Sequence, residues 1–135
     1  MRAVIDTNGL LNSIPRNAAK RWLYEAFEAS EFIWVLSNDI LIEYEELIGY
    51  VYSQRAAELV LDILLTAPNH ERADPAFRWQ LVERDPEDNK FVDLALSTNV
   101  DYLVSDDRHL LSLRTWKFPP VPVISFEEFR RILNR

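Results

Sequence analysis

The chain has 135 residues, 48% of them hydrophobic, and a formal net charge of −7 at pH 7. This length and composition predict one domain, residues 1–135, with a packed core, and they exclude an intrinsically disordered chain. The absence of cysteine excludes disulfides, thiolate metal ligands and cysteine nucleophiles. The acidic balance argues against a general nucleic-acid coat protein, because such proteins present a basic face.

Two further features of the sequence bear on where the protein acts. No apolar run reaches the roughly 20 residues that a membrane span requires. The N-terminus lacks the pattern of a signal peptide, because Asp6 interrupts a very short apolar stretch. We therefore expect a cytoplasmic protein with no membrane association.

Strands and helices alternate in the first half of the chain. The apolar run at residues 3–5 ends in Asp6, as expected of a buried strand that brings an acid to the rim of a sheet. Ser37 is a candidate N-cap for a helix whose apolar residues recur at helical spacing. The predicted elements are a strand at 3–5, a loop at 8–15, a helix at 17–29, a strand at 32–36, helices at 38–50 and 53–66, a short strand at 70–73 and a covering segment at 79–82.

The second half continues the alternation. Asp85 followed by Pro86 is typical of a helix start, and Ser125 with Glu128 predicts a capping box. The predicted elements are a helix from 85 to about 98, a strand at 101–105, a helix at 108–113, a strand at 121–124 and a helix at 126–133. This pattern predicts an α/β fold with a mostly parallel sheet. With two glycines in the chain, we find no phosphate-binding glycine-rich loop.

Four carboxylates occupy positions that could meet at one rim of the sheet. Asp6 and Asp107 each follow an apolar strand, whereas Glu43 and Asp88 lie in the first turns of helices. If the strands at 3–5 and 101–105 are neighbours, the four acids converge and repel one another unless cations are present. Oxygen ligands favour Mg²⁺ or Mn²⁺ over zinc. Such a cation generates a hydroxide nucleophile and stabilises charge on a phosphodiester.

Each acid also has a structural interpretation. Asp85 is most simply an N-cap, and Asp107 can cap the short helix after it. Asp88 suits the positive end of a helix dipole, and Glu43 can be a solvated helix acid. For Asp6 we favour a function, because a carboxylate that ends a buried strand is costly unless it is paired or ligated. Two alternatives stay open: Asp106 can replace Asp107, and the polar neighbours of the acids can serve as turn residues instead of substrate-orienting groups.

The sequence resembles PIN-domain proteins, in the subgroup of toxins from toxin–antitoxin pairs. The resemblance covers nearly the whole chain and rests on the motifs Val4-Ile5-Asp6-Thr7-Asn8, Ser37-Asn38 through Ile42-Glu43-Tyr44, Asp85-Pro86-Glu87-Asp88-Asn89-Lys90-Phe91 and Tyr102-Leu103-Val104-Ser105-Asp106-Asp107-Arg108-His109. It implies a Rossmann-like three-layer α/β/α sandwich with a central parallel sheet. It also implies an Mg²⁺- or Mn²⁺-dependent ribonuclease, which often dimerises and is silenced by a small antitoxin that fills the active-site groove.

The resemblance implies roles for particular residues. The metal-site acids of the family map onto Asp6, Glu43, Asp88 and Asp107. The polar positions beside those acids map onto Thr7, Asn8 and Ser105, which we expect to orient the substrate or a metal-bound water. The bases that we expect to guide RNA are Arg16, Lys20, Arg21 and Arg108.

Our leading hypothesis is therefore a metal-dependent endoribonuclease, and the toxin of a toxin–antitoxin pair. The alternative is a non-catalytic PIN module that binds RNA or a protein through the same groove. A phosphatase with Asp6 as its nucleophile is a third interpretation, which we disfavour because Asn8 stands where such enzymes carry a second acid.

Overall fold

Five parallel strands form the centre of the fold in the computed structural model, which describes residues 1–83 and 85–135. The strands are β1 (Arg2–Ile5), β2 (Ile33–Leu36), β3 (His70–Arg72), β4 (Tyr102–Val104) and β5 (Val123–Ile124). They lie in the order β3-β2-β1-β4-β5, and every pairing is parallel. This arrangement confirms that the first strand and the strand before Ser105 are neighbours at the centre of the sheet.

Helices connect and cover the strands. They are α1 (Thr7–Leu11), α2 (Arg21–Glu28), α3 (Asn38–Val51), α4 (Gln54–Thr66), α5 (Asn89–Thr98), α6 (Arg108–Leu111) and α7 (Phe126–Ile132), with 3₁₀ turns at Pro86–Asp88 and Ser112–Thr115. Ala3, Val4 and Ile5 of β1 are all fully buried. Because successive side chains of a strand point to opposite faces, both faces of the sheet are covered. The predicted three-layer α/β/α sandwich is confirmed.

Serine side chains begin three of the helices. The hydroxyl of Ser37 accepts a hydrogen bond from the Ile40 N–H at 3.2 Å, at the start of α3. Ser125 and Glu128 form the predicted capping box of α7. Ser53 caps α4 in the same way as Ser37 caps α3. These caps satisfy N–H groups that a helix leaves without an internal partner, so the starts of these helices are defined by the local sequence.

A buried tyrosine fixes the end of β1 from within the core. The Tyr44 hydroxyl donates to the Ile5 carbonyl oxygen and accepts from the Trp34 indole N–H at 3.3 Å. Tyr44 is fully buried and Trp34 is 2% exposed. A satisfied polar contact of this kind is stronger inside a core than in water. It therefore holds the backbone one residue before Asp6.

Several predicted boundaries differ from the structure. Residues 8–15 are not all loop, because the Asp6 carbonyl accepts from the Gly9 N–H at 3.0 Å and α1 starts at Thr7, with only Asp6 between it and β1. The predicted helix at 17–29 is the shorter α2, so Arg16 and Lys20 precede it. The last strand begins two residues later than predicted, after Pro122, which has no N–H to donate. None of the described helices is long and apolar enough to cross a membrane.

Candidate metal centre

Asp6 lies at the carboxyl end of β1, where the two central strands meet. Its side chain is only 6% exposed, and its Oδ2 accepts a hydrogen bond from the Ser105 hydroxyl at 2.7 Å. Ser105 follows β4 and is fully buried. Burial raises the pKa of the Asp6 carboxyl above its usual range, against the hydrogen bond from Ser105, and the charges of Asp107 and Glu43 raise it further. At the rim where β1 pairs with β4, the fold thus holds a carboxyl group whose charged form is disfavoured by burial and by neighbouring acids.

Asp107 has the capping role that its sequence position suggests. Its Oδ1 accepts hydrogen bonds from the N–H groups of His109 and Leu110, at 2.7 and 3.3 Å, and so caps α6. Its own N–H donates to the Ser105 hydroxyl oxygen at 3.0 Å. Ser105 therefore links Asp6 to Asp107, and it positions both acids.

Three aspartates come together beside this link. One carboxylate oxygen from each of Asp85, Asp88 and Asp107 lies within 4.8 Å of the others, a spacing that fits a shared metal ion. The Oδ2 atom of Asp88 is buried and has no hydrogen-bond partner. Burial, together with the charges of Asp107 and Asp85, raises the pKa of Asp88 to about 7. The fold therefore disfavours the charged form of the Asp88 carboxyl.

Asp85 is the member of this group that our sequence analysis assigned to another role. It occupies the N-cap position of the 3₁₀ turn Pro86–Asp88, but its side chain makes no capping hydrogen bond. Side chains three residues apart eclipse each other in a 3₁₀ helix, so Asp85 and Asp88 lie on the same side. The Asp-x-x-Asp spacing of residues 85–88 is the sequence feature that could have indicated this pairing of acids. The same spacing is also typical of the start of an α-helix.

Glu43 reaches the site from α3 but lies outside the three-aspartate group. The Thr7 hydroxyl donates to its Oε2, and the Lys90 ammonium donates to its Oε1 at 2.9 Å. Burial by itself would lower the pKa of Lys90, but the hydrogen bond and the charge of Glu43 outweigh burial and raise that pKa. Lys90, which the sequence analysis did not single out, is thus ion-paired inside the acid site.

Asp106 is directed away from the three-aspartate group. Its Oδ1 accepts from the Phe126 N–H at 3.0 Å, at the start of α7, and its Oδ2 lies 3.5 Å from the Lys20 ammonium. Of the two adjacent acids, it is therefore Asp107 that the structure brings to Asp88. Asp106 instead ties α7 and Lys20 to the rim.

A small cavity of about 260 Å³ opens on one side of the acids. Its lining residues are Asp6, Asn8, Gly9, Asn12, Lys20, Asp106, Asp107 and Phe126. Among the bases expected to guide RNA, Lys20 lies in this cavity, and Arg16 and Arg108 are exposed. The Arg21 guanidinium instead donates to the Ile14 carbonyl at 2.5 Å and lies over the Tyr24 ring, so its donors are partly used within the protein.

A larger groove of about 1050 Å³ shares no lining residue with the small cavity. Among the described residues that line it, the acids are Asp39, Glu43, Glu46, Asp74, Glu83, Glu87 and Asp93, and the bases are Arg78 and Lys90. Buried Asp93 accepts a hydrogen bond from the Trp79 N–H at 2.9 Å. The part of the lining that the structure describes is therefore mainly acidic, and its charges repel phosphates.

The sequence matches a known family model, and the fold is similar to solved structures. A family model described as PIN domain matches residues 2–109. No curated protein matches the sequence. Among solved structures, the fold is similar to VapC20 of Mycobacterium tuberculosis, a sarcin–ricin-loop-cleaving toxin, with 16% identity and a TM-score of 0.60 over 82% of this chain and 94% of that chain.

Two further solved structures share the fold. VapBC2 from Rickettsia felis, solved with a DNA fragment from its promoter, has 14% identity and a TM-score of 0.65 over 93% of this chain and 99% of that one. The PIN domain endonuclease Utp24 has 20% identity and a TM-score of 0.53 over 92% and 84%. At these identities the likeness concerns the fold, and the family model carries the assignment. The chain belongs to the PIN-domain family.

Proposed function

We propose that this protein is an endoribonuclease that depends on Mg²⁺ or Mn²⁺. Two observations carry the proposal: the convergence of Asp85, Asp88 and Asp107, and the buried Oδ2 of Asp88 that has no hydrogen-bond partner. A buried carboxylate oxygen without a partner is costly, and a divalent cation offsets both its charge and its neighbours' repulsion. All-oxygen donors suit Mg²⁺ or Mn²⁺.

The proposed roles of the acids follow from their places. Asp88 and Asp107 hold the cation with Asp6, as the family resemblance implies, and Asp85 adds a further carboxylate from the 3₁₀ turn. Glu43 holds the cation or positions the attacking water. When bound, the cation supplies a hydroxide nucleophile and offsets charge on the phosphodiester.

The polar residues beside the acids support a more specific proposal. Because the hydroxyls of Thr7 and Ser105 are engaged by Glu43 and Asp6, they orient acids and not substrate. Exposed Asn8 lines the small cavity and can donate to an RNA phosphate or ribose there. This division leaves Asn8 as the substrate-orienting residue among the three.

Charge favours one path for the RNA. The described lining of the large groove has seven acids and two bases. The acids of the small cavity are Asp6 and Asp107 of the candidate metal centre and Asp106, which lies 3.5 Å from the Lys20 ammonium, and Arg16 is exposed on the connection before Lys20. Phosphates bind where bases replace their counterions. We propose that the strand approaches over Lys20 and Arg16, with exposed Arg108 at the edge and Arg21 holding the local backbone.

The biological setting is proposed by analogy. Likeness in fold to the VapC20 toxin and to VapBC2 supports a cytoplasmic toxin with a small antitoxin as partner. Exposed apolar side chains on α3 and α4, such as Tyr50 at 88% and Leu59 at 47% exposure, offer a surface for a homodimer. One contiguous buried core supports a single domain over residues 1–135.

The test is cleavage of a mixed single-stranded RNA by the purified full chain in Mn²⁺, Mg²⁺ or EDTA. Wild-type protein should cut only with metal, and Asp6→Asn should lower the rate at least about 100-fold, since even partners of metal ligands are worth 10- to 100-fold. Asp62→Asn is the matched control, because Asp62 is exposed on α4. Cleavage that survives Asp6→Asn would overturn the site, and metal-independent RNA binding without cleavage would favour the non-catalytic PIN module.

A further inference from the structure

A lysine is built into the acid site. Lys90 lies in the first turn of α5, and its ammonium donates to Glu43 Oε1 at 2.9 Å and to Glu87 Oε2 at 3.2 Å. The side chains of Lys90 and Glu43 are 17% and 20% exposed, whereas that of Glu87 is 80% exposed. The contact with Glu43 is therefore the one that is shielded from solvent, and it is screened little by salt.

The position of Lys90 is unfavourable by local rules. A cation in the first turn of a helix faces the positive end of the helix dipole. Ordering a partly buried lysine also has a large entropy cost. The ion pair with Glu43, contributed by α3, offsets both effects. The position of Lys90 is therefore explained by its tertiary contact with Glu43 and not by the local sequence of α5.

Lys90 and Thr7 together fix Glu43. Thr7 donates to one oxygen from α1, directly after Asp6, and Lys90 donates to the other from α5, two residues after Asp88. Each donor thus comes from a segment that also carries a site acid. The orientation of Glu43 is set by two hydrogen bonds and is coupled to the backbone on both sides of the site.

Lys90 also reduces the net negative charge of the site. The five acids that face one another are Asp6, Glu43, Asp85, Asp88 and Asp107. Over residues 1–83 and 85–135, Lys90 is the single base that forms an ion pair with any of them. Its positive charge opposes the binding of a second cation nearby.

We propose that Lys90 is a positioning residue and a fixed counter-ion of the acid site, which orients Glu43 for cleavage and weakens the binding of the divalent cation. This inference rests on the proposed nuclease function. The inference can be distinguished from a purely structural role of the Lys90–Glu43 ion pair. Loss of a structural pair would weaken metal binding or leave it unchanged, whereas loss of a counter-ion strengthens metal binding.

The experiment measures Mn²⁺ dissociation constants of the RNA-free full chain by titration calorimetry, and kcat and KM for RNA at saturating Mn²⁺. Lys90→Met should lower the Mn²⁺ dissociation constant about fivefold, the effect of one charge several ångströms away in a polar medium. It should also lower kcat with little change in KM, because Glu43 loses one of its two donors. Lys90→Arg should restore both values, and Lys117→Met, at an exposed position, controls for net charge.

The outcomes distinguish a failure of the Lys90 proposal from a failure of the proposed nuclease function. If wild-type protein binds Mn²⁺ and cleaves RNA but folded Lys90→Met binds Mn²⁺ no more tightly, Lys90 is not a counter-ion. If Lys90→Met does not fold, Lys90→Gln replaces it, since glutamine removes the charge and keeps a donor, and unchanged affinity there overturns the inference equally. Wild-type protein that neither binds Mn²⁺ nor cuts RNA would overturn both proposals.

Discussion

At the scale of single residues, Asp88 shows how the fold sets the energy of one carboxylate. Its pKa of about 7 exceeds the ordinary 3.8, chiefly because burial disfavours its charged form. The folded protein therefore binds this proton more tightly than the unfolded chain does. The protonated carboxyl of Asp88 contributes free energy of folding at low pH. That contribution is lost as pH rises from about 4 to about 7, so the protein becomes less stable over this range.

We expect Asp88→Asn to be more stable than wild type at pH 8 in EDTA, by up to about 2 kcal/mol after allowance for partial exposure. The advantage should shrink at pH 5, where the wild-type carboxyl is largely protonated in the folded state. Urea unfolding of both proteins at the two pH values measures this difference. The same advantage at both pH values would show that Asp88 does not titrate in this window. The acid that destabilises the fold is also one proposed to hold metal.

At the scale of elements, the position of α1 depends on a glycine. A Cβ atom added to Gly9 would lie 2.0 Å from Cζ of the Phe126 ring, which is buried at the start of α7. Only a residue without a side chain lets α1 approach α7 so closely. Because α1 begins directly after Asp6 and carries Thr7, this contact also bears on the acid site.

We expect Gly9→Ala to destabilise the protein by about 1–3 kcal/mol, although alanine is the better helix former, because the Phe126 ring must move. Gly49→Ala is the matched control. Its Cβ would meet Oε1 of Gln54, an exposed side chain that can move, at 3.3 Å. That variant should gain about 0.5–1 kcal/mol from helix propensity. Urea midpoints compare the two, and a stable Gly9→Ala protein would argue against the close packing of α1.

At the scale of the whole molecule, the distribution of charge matters more than its sum. The net charge of −7 suggests poor affinity for RNA, but acids concentrate in the large groove and in the three-aspartate group. Lys20 lines the small cavity and not the groove, and its ammonium lies 3.5 Å from Asp106 and 5.3 Å from the centre of the Phe126 ring. Among the described residues, Lys20 and Arg16 therefore mark the approach that we propose for the RNA strand.

We expect Lys20→Met to weaken the binding of single-stranded RNA and to reduce the salt dependence of binding by about one unit of slope, as the loss of one phosphate contact predicts. Fluorescence anisotropy in the Asp6→Asn background measures binding without cleavage. Lys117→Met removes the same charge at an exposed position elsewhere and should have a smaller effect. Equal losses in the two variants would indicate a diffuse electrostatic effect and would contradict the proposed path.

Much of the fold could be predicted from local sequence. Strand-forming runs, serine caps and the capping box act over a few residues, and they defined the elements and their order. The positions of Asp6 and Asp107 could be predicted for the same reason. Each acid follows a buried apolar run, and neighbouring parallel strands end at one rim of the sheet. The short α1 was not predicted, because Thr7-Asn8-Gly9 is also typical of a turn and only contact with α7 distinguishes them.

The sequence by itself therefore determined most of the strands and helices and the positions of Asp6 and Asp107 after two of the strands, because those properties depend on burial and hydrogen bonds between near neighbours. Only the tertiary structure decided how the acids are partnered. Asp85 joins Asp88 and Asp107, and Lys90 pairs with Glu43 across 47 positions of sequence. Such partnerships depend on distances between separately packed elements, and charge–charge energies change steeply with those distances.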